Sequence, residues 1–288
     1  MLFRSLLDET LGRFFARVAQ NLAREAGMEM HDILVIGFDG QETRGALGKK
    51  ETKWQKLGSG KLLAKNSGTT VVGNFHLAGL HAGGRGKPLL PLFHQHMFHS
   101  QDENRAVLNI SESADLTMLP THGAITTGEC GPGHGLLDAW AERHMGGQAD
   151  AQGKWALKGQ CDRQLLERLM DSPVLEHPVN TSPEDSTFLL KALDEILAQN
   201  TIQPVDVQAT LNEHIARRVA LSLKEELIPR RLLLCGRGAE NLFLMRRIAV
   251  HLPDTVVETT ARFGVEPCWV ECMCLAWLAE QQIGRAHV

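Results

Sequence analysis

Arg231-Leu-Leu-Leu-Cys-Gly-Arg-Gly-Ala-Glu-Asn241 is the stretch that decides the fold class. Its apolar run is short and stops at a glycine, which reads as a buried strand rather than a helix. Gly236-Arg-Gly238 then forms a turn, and Leu244, Ile248 and Ala249 face inward on a helix starting at about Asn241. Strand, glycine turn, helix is the unit with which a parallel α/β sheet presents backbone N–H groups to a nucleotide. Just upstream, Leu211, Ile215, Val219 and Leu223 fall on one face of a helix that Pro229 ends. Downstream come a strand over Val256–Thr260 and an apolar helix over Cys268–Glu280. Toward the N-terminus, helices are expected at Phe188–Gln199, Arg163–Met170 and Leu136–Arg143. Strands are expected at Leu116–Leu119, Val107–Ile110, Gly68–Gly73 and Ile33–Ile36. The chain opens with an amphipathic helix whose apolar face is Leu11, Phe15, Val18, Leu22 and Ala26. Strands alternate with helices, so the class is α/β.

The chain has 288 residues, 43% hydrophobic and 22% charged, which suits a globular protein of two domains or one large one. A formal net charge of −4 gives no electrostatic case for nucleic acid or an anionic membrane. No apolar run is long enough to span a bilayer. Asp8 and Glu9 stand where a signal peptide would have its cleavage region. Cys268, Cys272 and Cys274 are crowded together, and the six cysteines make no disulfide framework for a chain this long. The reading is a reduced cytoplasmic protein. Ile283-Gly-Arg-Ala-His-Val288 fits no helix stop and is expected to be a non-native tail.

Gly128-Glu-Cys-Gly-Pro-Gly-His-Gly-Leu-Leu-Asp-Ala-Trp140 places one carboxylate, Glu129, before a Gly-Pro-Gly turn and a helix start. Such a turn lets a ligand approach the backbone, and the helix start suits an anion. The plainer reading is a capped loop with a solvated glutamate. His76 to Pro91 is a glycine- and proline-rich loop long enough to be functional. Within it Gly83-Gly-Arg-Gly-Lys87 fails as a P-loop, because His81 replaces a required glycine and Pro88 the Ser or Thr. His94, His96 and His99 lack a carboxylate or cysteine at ligand spacing and read as helix-surface and capping residues, so no metal ligand is assigned.

Several stretches together resemble the anhydro-N-acetylmuramic acid kinases, sugar kinases of the actin/hexokinase/Hsp70 ATPase superfamily. They are Ile36-Gly-Phe-Asp-Gly-Gln41, Val71-Val-Gly-Asn-Phe75, Gly83–Pro91 with Phe93-His94, Leu108-Asn-Ile110, Glu129-Cys-Gly-Pro-Gly133 with Leu137-Asp-Ala-Trp140, and Asp206–Leu211. Cys235-Gly236, Gly238, Asn241, Thr259-Thr260, Gly264, Glu271 and Ala276-Trp-Leu278 complete the set. Their order and spacing carry the resemblance from about Leu7 to Leu278.

The resemblance implies a two-lobed actin-like ATPase, or ribonuclease H-like, fold. Residues 1–75 would be the remnant of an incomplete N-terminal lobe, residues 76–282 a second lobe, and 283–288 the tail. It implies a bacterial phosphotransferase that uses ATP and Mg²⁺. That enzyme opens the anhydro bridge of its amino sugar with water and moves the γ-phosphoryl group to the freed hydroxyl. The product, N-acetylmuramic acid 6-phosphate, belongs to peptidoglycan recycling. A homodimer is compatible with it; nucleic acid and membrane are not expected as partners. Glu129 stands at the catalytic base position. Gly131, Gly133, Gly236, Gly238, Asn241 and Asn109 fall on the nucleotide side, and Asn74, His76 and Glu271 on the sugar side.

Departures from the family pattern sit mostly at ligand positions. The first phosphate motif would lie upstream of Met1, so the chain reads as truncated at the front. Ser111 and Glu112 replace two glycines of the second phosphate motif, and Arg237 replaces the middle glycine of the adenosine-side turn. His76, Gly79 and Asp39 differ as well, and Glu129 replaces an aspartate. The alternatives are therefore a catalytically inactive relative or fragment that serves as a binding module, or a superfamily kinase with another acceptor. Plainer readings also stand: Gly236 and Gly238 as a simple turn, Asn241 as a helix cap, and Asp138 as a helix residue bonded to nearby backbone.

Overall fold

The computed structural model describes residues 2–46, 52–75, 89–176, 183–198, 201–225 and 228–285. The loop from His76 to Pro88, with the Gly83–Lys87 stretch, lies outside the described residues, as does the end of the chain from 286. Contacts divide the chain into two units, Met1–Phe93 with Glu271–Val288, and His94–Val270. This division falls after Phe93, and the C-terminal helix from Glu271 groups with the first unit.

In the first unit, α1 (Leu2–Glu25) packs on α2 (Gly60–Ser67). The buried face of α1 is Gly12, Ala16 and Ala23, while Val18 and Leu22 are exposed. Small residues win that face because α2 comes close: a Cβ on Gly12 would sit 2.8 Å from the Ser59 carbonyl oxygen. β1 (Ile36–Phe38) pairs in parallel with β4 (Val71–Gly73). The strand expected at Ile33–Ile36 therefore starts at its last residue, and Leu34 is exposed. The lysine-rich segment forms an antiparallel hairpin of β2 (Gln41–Ala46) and β3 (Thr52–Leu57). Phe93, on α3 (Leu90–Phe98), packs against Trp277 of the returning helix, with ring centroids 5.9 Å apart.

The second unit is built on a five-stranded sheet. β5 (Arg105–Ile110), β6 (Ser113–Leu119) and β7 (Thr126–Pro132) form an antiparallel meander. β8 (Arg231–Cys235) and β9 (Val256–Thr259) add in parallel to β5. The order is β7-β6-β5-β8-β9, with only β6 reversed among these strands. This is the ribonuclease H-like sheet implied by the resemblance, and the fold is α/β as expected.

Alternation decides the two faces. Ala106, Leu108 and Ile110, Ala114, Leu116 and Met118, and Leu232 and Leu234 face one continuous core. α4 (Gly135–His144), α5 (Arg163–Met170), α6 (Pro173–Glu176), α7 (Pro183–Leu197), α8 (Pro204–Glu225) and α9 (Leu242–His251) flank the sheet in sequence. Leu136, Leu137, Leu165, Leu193, Leu211, Ile215, Val219, Leu223, Leu244 and Ile248 supply the helical half of that core. Each such buried aliphatic side chain contributes on the order of 2 kcal/mol. α8 starts earlier than its apolar pattern, because Pro204 suits a first helical position.

On the opposite face, His94 is buried and its Nδ1 lies 3.0 Å from the Thr117 hydroxyl. The expectation that it sits on a helix surface is corrected by this packing. Burial holds its imidazole well below the ordinary range, at about 4.

Candidate active site

The C-terminal end of β5 is where the second unit gathers its functional candidates. In an open α/β sheet, ligands favour the carboxyl ends of parallel strands. β5 ends at Asn109 and Ile110, and its neighbour β8 ends at Cys235. The turns that follow are fixed by close approach. A Cβ on Gly236, whose φ is +76°, would lie 2.6 Å from both Asn109 Oδ1 and the Ile110 carbonyl oxygen. One on Gly238 would lie 2.3 Å from Ile110 Cγ2. One on Gly133 would lie 2.3 Å from the Ser111 carbonyl oxygen. These three glycines let two helix-leading turns close on the tip of one strand.

The Ser111–Glu112 hairpin is tied to the start of α4. Gly133 N–H donates to the Glu112 carbonyl (2.8 Å), and His134 N–H to that of Ser111 (2.7 Å). Glu112 is exposed on this hairpin.

Glu129 lies within strand β7, and the turn expected to start at Gly131-Pro132 does not form there. Gly131 and Pro132 extend the strand; Pro132 is tolerated because β7 is an edge strand of this sheet. The turn comes one step later, at Gly133-His134, and α4 begins at Gly135. Glu129 is exposed, whereas Cys130 is buried in the core. Burial, with the nearby charges of Asp115 and Glu129, pushes the Cys130 thiol up to about 11 against a hydrogen bond from Ser222, so it stays protonated.

Strand register places Cys235, Asn109, Asp115 and Glu129 opposite one another on one rung across β8, β5, β6 and β7. A register shift between Ala114 and Asp115 accompanies this pairing. Asn109 is buried, and its Oδ1 accepts a long contact from Cys235 Sγ at 3.6 Å. Ser113 Oγ donates to Asp115 Oδ2 (2.8 Å). Asp115 remains open to solvent on one side, yet enough protein surrounds it for desolvation to raise its carboxyl above the ordinary range, with the Ser113 bond opposing. Asp115 is not among the residues that the motifs single out. The signal was there in Ser113-Ala-Asp-Leu-Thr-Met-Leu119, where Ser113, Asp115 and Thr117 alternate with apolar residues.

Asn241 is the N-cap of α9: its Oδ1 accepts from Leu244 N–H (3.0 Å), and its Nδ2 donates to Asn212 Oδ1 (2.9 Å). Both polar atoms are thus engaged inside the fold. Asp138, on the first turn of α4, lies 2.9 Å from His134 Nδ1 and 3.3 Å from Arg237 Nη2. Its side chain joins the two turns rather than bonding to its own backbone. Asn74 and Glu271 belong to the first unit. Asn74 is exposed after β4 with φ of +57°, and Glu271 is exposed on the first turn of α10 (Val270–Arg285). His76 lies outside the described residues.

Comparison with known proteins decides the family. The sequence model of the anhydro-N-acetylmuramic acid kinases matches residues 3–286. This chain belongs to that family. A relative named anhydro-N-acetylmuramic acid kinase from Xanthomonas campestris pv. campestris (strain 8004) is 37% identical over 276 residues, covering 96% of this chain and 73% of its own length. One of the same name from Pseudomonas syringae pv. tomato is 38% identical over 279 residues, covering 96% and 76%. The chain is thus a member of an anhydro-N-acetylmuramic acid kinase family, a family of phosphotransferases. Among solved structures, an activator of the 2-hydroxyisocaproyl-CoA dehydratase from Clostridium difficile with bound ADPNP aligns at 14% identity and a TM-score of 0.46. That alignment covers 83% of this chain and 89% of the other, a likeness too low to bear on activity or substrate.

Proposed function

We propose that this chain phosphorylates anhydro-N-acetylmuramic acid with ATP, in the cytoplasm, as a step of peptidoglycan recycling. The observation that carries the reading is the placement of Glu129. It is an exposed carboxylate at the end of a polar rung whose other members border the glycine turns at the tip of β5.

Glu129 accepts a proton from the attacking water. The water oxygen bonds to the sugar carbon as the anhydro bridge opens. The freed oxygen bonds to the γ-phosphorus, and the bond to the β-phosphate breaks, releasing ADP. Gly131 near the end of β7 and the turns at Gly133, Gly236 and Gly238 admit the nucleotide, with Asn109 behind them and Asn241 anchoring α9. Asn74, His76 and Glu271 hold the sugar. Mg²⁺ suits this end of the sheet because Asp115 offers carboxylate oxygens of the kind a hard cation prefers beside phosphates. Bound there, it would neutralise charge on the phosphates.

Glu112 favours a second reading, a nucleotide-binding relative without turnover. Its carboxylate is exposed on the hairpin where the family has glycine, and like charge against phosphate is unfavourable. One experiment separates the two. Incubation with ATP, Mg²⁺ and anhydro-N-acetylmuramic acid in ¹⁸O-water should give a product heavier by one phosphoryl group and one labelled water. Nucleotide binding with no such product would support the second reading and sink the first.

A further inference from the structure

We propose that Arg237 is a phosphate-binding residue, held by Asp138 until a nucleotide displaces it; the inference rests on the kinase reading above. Gly236 and Gly238, on either side of Arg237, are pressed against Asn109 and Ile110, so its backbone is fixed at the tip of β5. The side chain is free to move: it is 73% exposed, and its guanidinium reaches Asp138 Oδ2 at 3.3 Å. An ion pair so open to water is weakly held. Asp138 is the better buried partner, at 16% exposure, with His134 Nδ1 2.9 Å away.

Charge at this end of the sheet supplies the reason. Glu112, Asp115 and Glu129 all present carboxylates there. An anionic ligand entering such a site needs a cation, and a guanidinium matches phosphate oxygens with two parallel donors. Arg237 would offset Glu112 on the facing hairpin.

The test is calorimetric titration of the full chain with ADP and, separately, with adenosine. The variants are R237A, R237K, D138N and the double variant D138N/R237A. R237A should weaken ADP about tenfold while changing adenosine by less than about twofold, and R237K should keep part of the affinity. D138N should tighten ADP, and the gain should vanish in the double variant. Three results would overturn the proposal: R237A leaving ADP binding unchanged, R237A weakening adenosine as much as ADP, or a D138N gain that survives without Arg237. A wild-type chain that binds neither ligand would overturn the kinase reading together with this one. A wild type that binds ADP as tightly as R237A does would overturn this one alone.

Discussion

Substituting Gly236→Ala tests whether the tip of β5 is built as described. Gly236 has φ of +76° and ψ of 177°, a region essentially confined to glycine, where an L-residue costs roughly 1–3 kcal/mol. The added Cβ would also meet the Ile110 carbonyl oxygen at 2.6 Å and Asn109 Oδ1 at the same distance. Neither contact is with the free end of a flexible chain, since Ile110 is strand backbone and Asn109 is buried. Relieving that overlap costs a further ~1–3 kcal/mol. The sum is roughly 2–6 kcal/mol, which at about 2–4 °C per kcal/mol means a fall in Tm of around 10 °C. Gly128→Ala is the matched control. It lies on the same sheet with nothing within 4 Å of the added atom, so its effect should stay within about 0.5 kcal/mol. Scanning calorimetry of both variants reads the difference, with ADP titration alongside. A Gly236→Ala protein as stable as Gly128→Ala would refute the close approach of the two strand ends.

Other expectations follow from the same geometry. Glu129→Gln should lower turnover by about 10²–10⁴-fold with ATP affinity little changed, while Glu129→Asp should raise it; steady-state kinetics checks both, and a slower Asp variant would show the site suited to Glu. Acid should destabilise the second unit through two buried histidines. Burial holds His94 at about 4 and His214 at about 3, both below the ordinary 6.5, so the unfolded chain takes up protons first as pH falls. Their contribution is complete above about pH 6.5 and is lost between there and about pH 4 or 3. His94→Gln should flatten the slope of urea-unfolding stability over that window. Asn241→Ala removes a helix cap and strands the buried Oδ1 of Asn212. The loss should be roughly 2–4 kcal/mol by urea denaturation, and a loss below about 0.5 kcal/mol would contradict the buried pair.

Local pattern was enough for much of this chain. The apolar spacing of Leu211, Ile215, Val219 and Leu223 selects the buried face of α8, and all four are buried. Arg231–Cys235 is a strand, and Asn241 is the cap of the helix after it. Such features depend on residues a few positions apart, where backbone preference and burial agree. The same logic failed for part of α1: Leu11 and Phe15 are half-buried, but Val18 and Leu22 are exposed. Close contact with α2 instead turns Gly12 and Ala16 inward. It also failed at Pro132, whose neighbours suggest a turn although an edge strand accommodates it.

The order and spacing of its motifs determined the family and singled out Glu129, Gly133, Gly236 and Gly238 as residues to examine. Only the tertiary structure put Cys235, Asn109, Asp115 and Glu129 on one rung, and only it joined Arg237 to Asp138 across 99 positions. The physical reason is that strand register is a non-local quantity. Which residues stand opposite one another depends on how distant segments bury their apolar alternates together, and no window of neighbouring residues contains that information.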